Sequence, residues 1–193
     1  MAGFIDPLAI MLISLAMSTL IGSLYFLFTA MNRTKDIQQL LIPAMGIGFF
    51  DFVSGYFMSF TWPLPSSYNM LFGDPLMMLG LLLIISAAAI YKGYEIKFNS
   101  ILFLFLGIYV LVASAGIVSY KLETGDDLIS AMGLYIIDGI AALLAPILFI
   151  EPKKGKYLYY LEFILLILGT LVALFIGYEA IYGHLLDFIK WFP

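Results

Sequence analysis

Leu40-Leu-Ile-Pro-Ala-Met-Gly-Ile-Gly-Phe-Phe-Asp-Phe-Val-Ser-Gly-Tyr-Phe-Met-Ser-Phe-Thr61 carries one charged side chain, Asp51, near the middle of an otherwise uncharged run. About 20 such residues suffice to cross the hydrocarbon core of a bilayer as a helix. Leu128 to Ile150 repeats the pattern, with Asp138 near its centre and no Lys or Arg. An ionised aspartate at that depth costs roughly 2.5 to 3.5 kcal/mol on insertion scales, so each needs a partner or a task.

Composition agrees with that reading. The chain is 63% hydrophobic and 11% charged, with a mean hydropathy of +1.06, so most of its surface must face lipid or other helices. A net charge of −4 and only nine Lys or Arg residues leave no basic stripe for nucleic acid. With no Cys, thiolate metal sites and iron–sulfur clusters are excluded, and with one His a bis-histidine haem within the chain is excluded too. Methionine ligation stays formally open, but packing is the simpler use for the Met residues.

Scanning for apolar runs gives a single transmembrane domain over 1–193, with spans at about 7–31, 40–61, 75–91, 101–120, 128–150 and 157–178. The runs are too long for strands and do not alternate, so the fold class is all-α, a polytopic six-helix membrane bundle. Asp6-Pro7, Asp74-Pro75 and Asp127 supply helix starts. Arg33, Lys35, Lys92, Lys97, Lys153, Lys154 and Lys156 fall in the odd-numbered connections, leaving Lys121 and Lys190 elsewhere. Positive charge is retained in the cytoplasm, which predicts a multi-pass protein of the cell (plasma) membrane with both termini extracytoplasmic. Residues 179–193 read as an amphipathic tail, lying in the interface or extending the last helix.

Helix periodicity then sorts the faces. Asp51 shares a stripe with Ala44, Gly48, Gly55 and Ser59, and Asp138 shares one with Ala131, Tyr135, Ala142 and Ala145. Small residues let helices approach closely, so both acids point inward, and the Tyr135 phenol is a candidate partner for Asp138. Ser14, Ser18 and Gly22 form a similar stripe on the first span. Both aspartates lie near the midplane, so they are candidates for one proton- or cation-binding site that titrates as a pair. The competing reading is structural: each stays protonated and hydrogen-bonds a hydroxyl or carbonyl. The two spans are the central members of halves one to three and four to six, and an odd number of helices per half would make any repeat an inverted one.

Other candidates are fewer. The uncharged connection before Asp74, with Trp62, Tyr68 and Phe72, is expected to fold over the bundle mouth as an ordered, gating cap, with Asp74 capping the third helix. Glu179, His184 and Asp187 are spaced to share a helical face and form a candidate metal set. Glu162 is expected to snorkel to the interface or pair with nearby lysines. No phosphate loop, serine-nucleophile motif or HExxH occurs, which argues against catalysis by those routes.

The stretch Asp51-Phe-Val-Ser-Gly-Tyr-Phe-Met-Ser-Phe-Thr-Trp-Pro-Leu-Pro-Ser-Ser-Tyr-Asn-Met-Leu-Phe-Gly-Asp74-Pro75, with Phe4-Ile-Asp-Pro-Leu-Ala9, resembles an uncharacterised family of small polytopic membrane proteins, mainly archaeal. The resemblance implies that Asp51 and the Trp62-to-Asp74 connection belong to one family feature, and brings no activity with it. Three functional classes remain open: a proton- or cation-handling transporter or channel, a noncatalytic subunit of a membrane assembly or homo-oligomer, and a metal- or cofactor-binding enzyme subunit.

Overall fold

A computed structural model describes residues 7–64, 66–150 and 156–188, with the side chains of 187 and 188 left aside. It contains six long helices: α1 (Pro7–Ala30), α2 (Thr34–Thr61), α3 (Asp74–Tyr91), α4 (Lys97–Ser119), α5 (Gly125–Ile150) and α6 (Lys156–Phe188). All six are long and apolar enough to cross a membrane, and no strand occurs among the described residues. Several helices run past the apolar segments. Thus α2 begins at Thr34, where Asp36 lies in the first turn and pairs with Arg33 at 2.6 Å. At about 1.5 Å per residue α6 is roughly 50 Å long, well beyond the hydrocarbon thickness. The tail is therefore helical to Phe188, while 189–193 lie outside the described residues.

Tight reversals hold the hairpins. α1 ends with Asn32 at φ 56° and Arg33 N donating to Phe28 O at 2.8 Å; α3 ends with Gly93 at φ 76° and Tyr94 N donating to Ala89 O at 2.9 Å. After α4, Lys121 takes φ 51° and Leu122 N reaches Ile117 O at 3.0 Å. Each is a left-handed cap that satisfies a carbonyl of the last turn. Large apolar side chains face outward, among them Ile42, Phe49, Phe60, Phe105, Val112 and Leu171. Small and hydroxyl-bearing side chains such as Ser14, Ser18, Ser23 and Ala173 are buried. That inversion of a soluble fold's pattern is expected when lipid is the solvent and helices associate by close packing.

Consecutive helices pack on one another, and α6 returns to close on α1, so the six form a ring. Three interfaces are extensive, α6 with α1, α2 with α3 and α4 with α5; the three between them are looser, and α3 with α4 is the sparsest. At the α2–α3 interface a Cβ on Gly80 would lie 2.5 Å from Gly48 O and closer still to Phe52 N, so only hydrogen fits there. The α1–α6 interface carries a Thr19–Thr170 hydroxyl pair at 2.8 Å. An inverted repeat of the two halves would make α1–α6 equivalent to α4–α3, yet the first is the most extensive contact and the second the sparsest in the ring. The corresponding contacts of the two halves are thus unequal.

Candidate functional site

A central cavity of about 190 Å³ runs inside the ring and takes side chains from all six helices. Along α1 its lining recurs turn by turn, from Leu8 through Leu12, Leu15 and Thr19 to Phe26, a rise of about 27 Å. Nearly all of the lining is carbon. Among the described residues the ionisable exceptions are Tyr25, Tyr135, Asp138 and Glu162, and no Lys, Arg or His of these residues lines the cavity.

Asp138 comes from the middle of α5 and faces the cavity. Its Oδ1 has no hydrogen-bond partner among the described residues and is pressed against the backbone of α6 at Gly169. A Cβ at Gly169 would stand only 3.0 Å from Asp138 Cγ and overlap Oδ1, so this glycine makes the room for the carboxylate. Tyr135 does not serve Asp138: its hydroxyl donates to Leu71 O at 2.5 Å, because the preceding turn carries it toward the start of α3.

Glu162 lines the same cavity from α6 as Asp138 does from α5. It does not snorkel. The side chain is only 2% exposed, and its Oε2 has no hydrogen-bond partner among the described residues. α6 presents Glu162 on the face continued by Leu166, Gly169 and Ala173, and that face is turned to α1 and α5. The stripe Gly169, Ala173, Gly177 repeats the small-residue pattern at the two aspartates and is the signal by which the sequence could have placed Glu162 inside.

Asp51 is fully buried in α2 and accepts a hydrogen bond at Oδ2 from Ser18 of α1. Ser18 lines the cavity; Asp51 stands behind it with Oδ1 unpartnered among the described residues. The cavity thus takes Asp138 directly and Asp51 through a hydroxyl.

The connection before α3 is ordered by a residue the sequence reading passed over. Buried Asn69 accepts from Leu64 N at 2.8 Å and donates to Leu64 O at 2.5 Å and Ser66 O at 3.3 Å. A π-helical turn, Asn69–Gly73, then runs directly into α3. Asp74 therefore makes no cap, since the chain is already helical there; its carboxylate accepts the Tyr109 hydroxyl of α4 at 2.8 Å instead. Trp62 is 52% exposed, not tucked over the bundle. Phe72 lines the cavity, stacks on Tyr68 and meets Tyr135 edge-on at 6.0 Å. Burial, then the Glu123 hydrogen bond and the charges of Glu123 and Asp127, hold the Tyr68 phenol above its ordinary range.

Of the candidate metal set, Glu179 is exposed, His184 is half-buried, and the Asp187 side chain lies outside the described residues. No group of three His, Cys, Asp or Glu side chains positioned for a metal occurs among the described residues.

Residues 1–187 match the family described as a protein of unknown function, DUF981. The chain belongs to the DUF981 family. No curated protein and no solved structure matches this chain. Six apolar helices and the family match together describe a multi-pass membrane protein of this uncharacterised family.

Proposed function

We propose that this DUF981 protein is a proton-handling membrane transporter whose exchange site is the pair Asp138 and Glu162, with Asp51 bonded to its margin through Ser18. One observation carries the reading: two carboxyl groups face a carbon-lined cavity that, among the described residues, no cationic side chain enters, and each keeps an oxygen without a hydrogen-bond partner among those residues. Ionisable groups in a membrane interior mark ion and proton paths, and two acids in electrostatic reach titrate together. A metal cation would have to exchange its water for several oxygens that this lining does not supply, whereas a proton needs one. The noncatalytic-subunit reading leaves both unpartnered acids without a task.

The basic connections are assigned to the cytoplasm and the connection before α3 to the outside of the plasma membrane. Single cysteines at Thr34 and Ser66 label from opposite sides under this assignment; labelling from one side removes it. The proton reading is tested by following the carboxylic-acid infrared band of the purified chain through a pH titration. A band that titrates in the wild type and shrinks in both Asp138→Asn and Glu162→Gln is the expected result. A band absent from the wild type, or unaltered in both variants, defeats the reading.

A further inference from the structure

The geometry points to a single-chain alkylammonium as the substrate of this cavity, its cationic head between Glu162 and Asp138 and its tail along α1 and α3. This deepens the proton-transport reading and rests on it. The shape selects the tail. An apolar cavity of about 150 Å³ is filled by one benzene; here a volume of about 190 Å³ follows α1 from Leu8 to Phe26. A volume of that order drawn out over nearly the thickness of a bilayer admits a chain and not a bulky ring system. Between Leu8 and Asp138 the wall is Met11, Leu12, Leu15, Leu76 and Leu79, which gives an alkyl tail carbon contacts along its length.

The head is selected by charge and by rings. Glu162 is buried and lines the cavity, with Oε2 unpartnered among the described residues, and Asp138 adds a second carboxyl to the lining, its Oδ1 resting against Gly169. Around the same level Tyr25, Phe26 and Phe149 also line it, with Phe149 at 5.8 Å from Phe26 and 6.2 Å from Tyr25. Tyr159, one turn before Glu162 on α6, stacks on Phe26 at 6.3 Å, which ties this aromatic cluster to the carboxyl. Carboxylates beside aromatic faces are the chemistry that recognises an organic ammonium. An anionic amphiphile would meet two acids, and a neutral one would leave them unanswered.

The ionisable groups facing Glu162 across the cavity are Tyr25 from α1 and Tyr135 and Asp138 from α5; the lining from α2, α3 and α4 brings none. Binding of a fixed cation therefore displaces a proton from the carboxyl pair, which couples substrate to proton in opposite directions.

The test uses the full chain in nanodiscs of neutral lipid, labelled with a hydrophobic carbodiimide and read at Glu162 by mass spectrometry. Octyltrimethylammonium is the probe, with octanol and octyl sulfate as neutral and anionic counterparts. The expected result is saturable protection of Glu162 by the cation alone, with release of about one proton per cation bound in weak buffer. In Phe149→Leu, half-protection needs at least about threefold more cation. Dialysis binding of the cation falls at least tenfold in Glu162→Gln, and Asp138→Asn serves the same purpose if that variant does not fold. Equal protection by octanol or octyl sulfate, or no protection by the cation, overturns the substrate assignment. If that happens while the infrared band still titrates, the substrate has failed and the proton site stands; absence of the band removes both.

Discussion

Asp51 sits at the α1–α2 interface with a serine donating to one oxygen, whereas Asp138 faces a cavity that Glu162 also lines and has a glycine backbone behind it. The first arrangement joins two helices; the second places a carboxyl in the cavity lining, which under the proposed function makes it an exchange group. Burial alone does not separate glue from pathway in a membrane protein. What separates them is which neighbour answers the charge, and whether a cavity reaches it.

The comparison is broken most severely if the two acids respond alike. Asp138→Asn is expected to lower proton uptake in proteoliposomes by at least about tenfold, since one member of the exchanging pair is lost, while Asp51→Asn lowers it no more than a few-fold. Equal losses would place Asp51 in the pathway. Next in size, Gly169→Leu fills the space that Asp138 occupies, so it should cost about 1 to 3 kcal/mol in overpacking and reduce uptake as well. Reversible unfolding in mixed micelles measures the first and vesicle flux the second. If stability falls with flux intact, Asp138 does not work from this position.

For stability the order reverses. Asp51→Ala removes the bond from Ser18 and is expected to cost about 0.6 kcal/mol, the mean for interhelical hydrogen bonds in membranes, and at most about 1.7 kcal/mol. Asp138→Asn breaks no hydrogen bond at Oδ1 and should leave the unfolding midpoint in place. The smallest effect concerns the connection before α3. The Tyr68 phenol is held above its ordinary value of 10.0, so its contribution is complete below pH 10.0 and is lost as pH rises through the folded value. Trp62 fluorescence in a Trp191→Phe background should report that loosening, and Tyr68→Phe should abolish the step.

Much of the helical architecture was legible in the chain because bilayer thickness and the lack of water in lipid leave few choices: a long uncharged run must become a helix. The inward face of Asp51 was legible as well, since Ala44, Gly48 and Gly55 recur at helical spacing beside it. Glu162 was misread because its place near a basic connection suggested an interfacial side chain, and only the packing of α6 against α1 and α5 turns it inward. Asp74 was misread as a cap because a π-turn, which has no sequence spelling, continues the helix ahead of it.

The sequence by itself determined that this chain is built of helices long and apolar enough to cross a membrane, because that follows from transfer free energy residue by residue. Only the tertiary structure decided which acids share a space. Closing α6 onto α1 makes a ring with a cavity, and the side chains that meet there come from residues as far apart as Tyr25, Asp138 and Glu162. Such proximity depends on the order in which helices pack. Hydropathy fixes how a helix meets lipid and leaves its choice of neighbour open.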